Sequence, residues 1–181
     1  MAYLIIAQQA KAVFLGFVQE KTKLENKELH SEAENIICED EVDAKYVLVG
    51  KQLAEIGDKV NEENKEAFEV MANLLDIKSD SLVIQFMNIV DLIDCSNQGR
   101  ILVLFCFAYY LLRRFTKEIF QKILLCISNF VGISLARWIY NQGGWAMTTD
   151  RDLWKCAVWS TSYGVSLIKA GLKLNDNLRS T

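Results

Sequence analysis

Along most of the chain apolar residues recur at the helical spacing of three and four, and no region is dominated by the alternation of a strand. Residues 2–21 place Ile6, Ala10, Val13, Phe14, Phe17 and Val18 close to that period, which predicts a first helix with one core-facing stripe. Residues 22–42 are polar and acidic with little periodicity, and read as a long loop with room for a helical turn. Val49, Leu53, Ile56 and Val60 then follow at steps of four, three and four, which predicts a second helix over 43–61. A shorter third helix over 63–76 centres on Phe68, Met71 and Leu75. Ser79 or Asp80 is suited to cap a fourth, with a stripe of Val83, Phe86, Met87, Val90 and Ile93.

The most apolar run, Ile101 to Leu112, has no charge before Arg113-Arg114. A helix apolar all round belongs in the centre of a bundle, and this one is too short for an ordinary membrane span of about twenty residues. The next helix covers about Lys117 to Asn141 and is expected to bury Ile119, Phe120, Ile123, Leu124, Ile127, Phe130, Leu135 and Trp138. Gly143-Gly144 ends it, because glycine tolerates the left-handed conformation that closes a helix. A short helix around Trp145 to Asp152 and a last one over about Leu153 to Leu174 complete the chain. The expectation is one all-α domain of eight to nine helices around a buried central helix, with a bundle over 1–152 and a tail helix in 153–181.

Composition supports this picture. The chain has 181 residues, 51% of them hydrophobic, and no proline, the strongest helix breaker. The net charge of −3 argues against nucleic-acid binding but conceals an asymmetry. Acids dominate from Glu20 to Glu66, most densely at Glu39, Asp40, Glu41 and Asp43, while bases dominate after Arg113. A basic, apolar C-terminal half suits an anionic membrane surface, although solvated helix faces would carry the same charges. Cys38, Cys95, Cys106, Cys126 and Cys156 are odd in number, widely spaced and mostly inside apolar helix patterns, which reads as reduced, buried thiols in a cytosolic compartment. The apolar patch Tyr3 to Ala7 lacks a basic leader and is interrupted by Gln8, Gln9 and Lys11, so it reads as an amphipathic helix and not a signal peptide.

Nothing in the sequence points to catalysis. His30 is the single histidine and lies in the acidic stretch, which leaves no multi-histidine metal site and no chemistry needing two imidazoles. No Cys-x-x-Cys pair, phosphate-cradling glycine loop or nucleophile elbow occurs. No catalytic residue, metal or cofactor is therefore expected.

Three short segments carry a resemblance. Leu53-Ala54-Glu55-Ile56-Gly57-Asp58 combines a leucine, three residues and Gly-Asp on an amphipathic helix. Val49, Leu53, Ile56 and Val60 would be its four anchors in a groove, Gly57 would allow close approach, and Asp58 would pair with a base at the rim. Asn97-Gln98-Gly99-Arg100 opens the most apolar helix, where Asn97 can cap and Arg100 can offer a carboxylate two parallel hydrogen bonds. Trp138-Ile139-Tyr140-Asn141-Gln142-Gly143-Gly144-Trp145 combines a tryptophan, a helix end, paired glycines and a second tryptophan. In order and spacing these resemble the third, first and second homology motifs of the Bcl family of apoptosis regulators. Gly16-Phe17-Val18-Gln19-Glu20-Lys21 also resembles the first helix of its Bax/Bak/Bok branch. Two positions depart from the family pattern: Gln98 replaces a tryptophan, and Val103 stands where alanine is usual.

The resemblance implies a Bcl-type bundle with a surface hydrophobic groove formed by Phe68, Met71, Val83, Phe86, Met87, Asn97, Gly99, Arg100, Val103 and Phe107. It implies third-motif helices of other Bcl-type proteins as partners, further copies of the chain on activation, and lipids of the outer mitochondrial membrane. The corresponding locations are cytoplasm and outer mitochondrial membrane. The nearly uncharged segment with Trp154, Val158, Trp159, Val165, Leu167 and Ile168 stands where a membrane anchor would be, or a helix folded back into the groove. Leu53–Asp58 resembles Bax and Arg137-Trp138-Ile139 resembles Bak, which implies a pro-apoptotic effector; the alternative is a pro-survival protein that sequesters third-motif helices. Titration with helical third-motif peptides is expected to give binding, and none at high micromolar concentration would count against the resemblance.

Overall fold

The computed structural model describes residues 1–76, 78, 80–93 and 98–144. Six helices form α1 (Ala2–Glu25), α2 (Lys27–Glu39), α3 (Ala44–Leu74), α4 (Leu82–Ile93), α5 (Gln98–Leu112) and α6 (Lys117–Asn141). Among the described residues there is no strand. The expected helices over 145–152 and 153–174, part of the count of eight to nine, lie outside the described residues.

Two boundaries differ from the sequence reading. The stretch 22–42 is not a loop: α1 continues to Glu25 and α2 occupies most of the rest. Asn26 separates them and caps α2, its side chain accepting from the backbone N–H groups of Glu28 and Leu29. The buried face of α2 is Leu29, Ala33 and Ile36, a helical stripe too narrow to stand out among acids. His30 accordingly lies on a helix, where its Nδ1 is 2.9 Å from the Gln19 carbonyl of α1. The two helices expected over 43–61 and 63–76 are one helix, α3, capped by the Asp43 side chain on the Lys45 N–H. No glycine or proline interrupts residues 61–64, and asparagine and glutamate are compatible with an unbroken helix.

The α5 helix is central as expected, with Ile101 to Leu112 buried except the half-exposed Tyr110. It shares the centre with α1, which is buried on every side from Ala12 to Gln19 and packs against α3, α6, α2 and α5. Phe14 and Phe17 meet the edge of Phe105 at 5.2 and 5.5 Å between ring centroids, joining the two central helices.

The crossings of α1 are set by small residues. A Cβ on Gly16 would lie 2.1 Å from the Val47 carbonyl oxygen, and one on Gly50 would lie 1.9 Å from that of Val13. The α1 and α3 backbones are therefore in direct contact. Gly132 does the same for α6, where a Cβ would lie 2.5 Å from the Ala7 carbonyl oxygen.

On α4 the buried residues are Leu82, Phe86, Ile89 and Val90. Val83 is half-buried and Met87 is 37% exposed, so the helix is rotated from the expected stripe, with those two at its edge. Ser79 lies outside the described residues; nearby, the Gln85 side chain donates to the Ser81 hydroxyl at 2.8 Å. On α6, Phe120, Leu124, Ile127 and Leu135 are buried, Ile123, Phe130 and Trp138 half-buried, and Ile119 exposed. The inward stripe instead takes in Ser128, Val131 and Gly132.

Gly50→Ala is expected to force α1 and α3 apart and to lower stability by about 1–3 kcal/mol, the usual cost of overpacking. Urea unfolding checks this against Leu48→Ala at an exposed position of the same helix, which should be near neutral.

Candidate functional site

The third-motif segment lies in the first half of α3 and faces inward. Leu53, Ile56 and Val60 are buried, Val49 is half-buried, and the stripe packs against α1 and α5. Gly57 is where the three helices meet. A Cβ there would stand 3.0 Å from the Phe17 ring of α1 and 3.2 Å from Cys106 Sγ of α5. The Cys106 thiol points at the Gly57 carbonyl oxygen at 3.5 Å, and burial pushes its pKa well above the usual thiol range.

Asp58 is paired within the chain. Its Oδ1 accepts from Lys21 Nζ at 2.5 Å, one turn along α1 from Phe17. The pair is asymmetric: the Lys21 side chain is only 9% exposed, whereas that of Asp58 is 66% exposed. The Lys21 ammonium also lies 5.8 Å from the centroid of the Tyr109 ring and 4.0 Å from Glu25. The Tyr109 hydroxyl donates to Glu25 Oε2 at 2.5 Å. Burial, and then this bond, push the Tyr109 pKa well up, so it remains a donor. These groups border a cleft of about 430 Å³, which also takes in Asn61, Glu62, Lys65, Tyr110 and Arg113.

The residues expected to form a groove come together around an aromatic layer. Phe107 of α5 lies 5.7 Å from Phe68 of α3 and stacks on Phe86 of α4 at 6.3 Å, and Phe86 meets Phe130 of α6 edge-on. Phe68, Met71, Phe86, Gly99, Val103 and Phe107 are buried, while Val83 and Arg100 are half-buried. Asn97 lies outside the described residues.

The second motif closes α6. Trp138 is half-buried and Ile139 fully buried. Gly143 and Gly144 adopt φ of 84° and 95°, the left-handed region that glycine tolerates. The Gly144 N–H donates to the Ile139 carbonyl at 2.9 Å and that of Gly143 to the Tyr140 carbonyl at 3.1 Å. This paired closure satisfies the last carbonyls of the helix. Trp145 and the tail residues Trp154, Val158, Trp159, Val165, Leu167 and Ile168 lie outside the described residues.

The family model for the apoptosis regulator proteins of the Bcl-2 family matches residues 53–145. The chain belongs to the Bcl-2 family. The match runs from the first residue of the third motif to the second tryptophan of the second, so the three segments are read together as one domain. No individual curated protein matches the chain. As a Bcl-2 family member the protein is an apoptosis regulator, and other Bcl-2 family proteins are its class of partner.

Some residues of this Bcl-2 site were not evident from sequence. Lys21 stood only within a resemblance of the first helix, and its pairing with Asp58 spans 37 positions. Gly50 looked like an ordinary helix position; of the thiols expected to be buried, Cys106 is, whereas Cys38 and Cys126 lie on outward faces of α2 and α6 and are exposed. The one available signal was the coincidence of Gly16 and Gly50 with otherwise large-residue stripes.

Asp58→Asn is expected to destabilise more than Lys21→Met. The first leaves a buried ammonium that has lost its 2.5 Å carboxylate partner and keeps Glu25 at 4.0 Å, while the second replaces it with an apolar chain and leaves Asp58 mostly in water. The expected cost of Asp58→Asn is about 1–3 kcal/mol. Much of it should be recovered in the double variant, as measured by a double-mutant cycle of urea unfolding.

Proposed function

We propose that the protein is a Bax/Bak-like pro-apoptotic effector that is inert while its third-motif helix is held inside the fold. The observation that carries this reading is the burial of Leu53, Ile56 and Val60 together with the Lys21–Asp58 pair. Three of the four anchors that a groove would receive are covered by α1 and α5, and the fourth, Val49, is half-buried. Release of the motif is then the step that a partner must favour, through higher affinity for the opened form.

Once exposed, Val49, Leu53, Ile56 and Val60 enter the groove of another copy, with Asp58 exchanging Lys21 for Arg100 of that copy. The groove forms as Phe68, Phe86 and Phe107 separate to admit the incoming helix. The resulting oligomer permeabilises the outer mitochondrial membrane, to which the protein moves from the cytoplasm. Two helices, α1 and α6, are long and apolar enough to cross a bilayer, and about half of each is buried in the bundle. Such helices also serve as the core of soluble proteins, so their length supports membrane insertion only alongside release of the motif. The tail 153–181 is either a membrane anchor or a helix docked in the groove.

Purified protein given an activating third-motif peptide is expected to release dye from liposomes of mitochondrial composition. Failure to release dye, together with inhibition of a known effector, would establish the pro-survival reading instead. Deletion from Leu153 onward is expected to raise peptide affinity if the tail occupies the groove, and unchanged affinity would count against that placement.

A further inference from the structure

We propose that α3 is a hinged helix that opens at Asn64, freeing the motif half while its C-terminal half stays fixed to α5. Asn64 is 3% exposed and lies on the inward stripe of α3 between Val60 and Phe68. Its Nδ2 donates to the Val60 carbonyl at 2.8 Å, but its Oδ1 is buried without a partner among the described residues. A side-chain bond to the carbonyl four residues back competes with the helix ladder and favours bending. A buried acceptor with no donor also makes the closed form less stable than an apolar residue there would.

Two further features place the hinge at the same point. From Asn61 to Glu66 every residue is polar, so no apolar side chain holds this stretch to the core. The cleft lined by Asn61, Glu62, Lys65, Tyr109, Tyr110 and Arg113 runs beside it, leaving room on the α5 side.

The anchors divide on either side. Before the hinge, α3 is held to α1 by the Gly16–Gly50 crossing and the Lys21–Asp58 pair, and it meets α5 where Gly57 closes on Cys106. After it, Phe68 packs on Phe107 and Tyr110, and the Asn73 side chain accepts from Arg114 at 3.0 Å. Loss of the α1 contacts therefore loosens residues 44–63, which then part from Cys106 of α5 as the helix opens, while the Phe68 and Asn73 contacts hold 67–74. Such opening does not depend on whether the protein promotes or prevents death.

Cys106 provides the readout, because its thiol is buried directly under Gly57. In the 181-residue chain carrying Cys38→Ser, Cys95→Ser, Cys126→Ser and Cys156→Ser, a neutral maleimide should label Cys106 faster than the protein unfolds globally. Asn64→Leu should slow that labelling about tenfold, more than it slows global unfolding. Amide exchange should show residues 46–60 opening below the global free energy, with residues 68–74 remaining protected to the global limit. Should the leucine not be accommodated, Asn64→Ala carries the same expectation in direction. Labelling of Cys106 only at the global unfolding rate would overturn the hinge. So would equal slowing of labelling and global unfolding, or joint exchange of both halves of α3.

Discussion

Where α1 crosses α3 the two backbones touch, and the carbonyls of Val47 and Val13 occupy the space that side chains on Gly16 and Gly50 would need. This contact fixes how deep α1 sits. At that depth Phe14 and Phe17 reach the edge of Phe105, and one turn further Lys21 arrives over Asp58. The motif glycine closes on Phe17 and Cys106 in the same layer. Neither the ion pair nor the aromatic contacts would form with α1 displaced outward by a side chain. Gly132 repeats the device on the opposite side of α1, so the helix is clasped between α3 and α6.

The motif's place in this arrangement gives the bundle its potential for regulation. The residues that suit a helix for a groove, an apolar stripe with a small residue and an acid beside it, are the same ones that bind α3 to α1. One set of side chains thus serves two alternative packings, and the choice between them depends on differences in interaction with α1, α5 and any partner. The asymmetry of the Lys21–Asp58 pair matters here. Asp58 is already mostly in solvent, whereas Lys21 is desolvated and depends on the carboxylate. The partner that loses most when the motif leaves is therefore α1, not the motif.

Around this centre the rest of the domain serves as scaffold. The Phe68, Phe86, Phe107 and Phe130 layer ties α3, α4, α5 and α6 together at the far end of α3. The paired glycines after α6 satisfy its last carbonyls. The second motif is thus primarily a helix closure, while its half-buried Trp138 and buried Ile139 bind that closure to the core.

Sequence alone determined the helical class, the central place of Ile101–Leu112, the extent of α6 and the three motif segments that the family match spans. Each of these is written in local spacing: an uncharged run, a stripe at steps of three and four, or two adjacent glycines after a tryptophan. It also identified Val49, Leu53, Ile56 and Val60 as one face, since periodicity shows which residues point together. What that face meets was decided only by tertiary structure, because packing partners come from anywhere in the chain. The helix over 27–39 was obscured for a related reason, as a three-residue stripe among acids becomes meaningful only when α1 and α6 cover it. The join at 61–64 likewise depended on neighbours, since polar residues permit both a break and a continuous helix. The Lys21–Asp58 pair and the two-glycine crossing are long-range in sequence and short-range in space, so local pattern marks Gly16 and Gly50 as small positions but not that they meet.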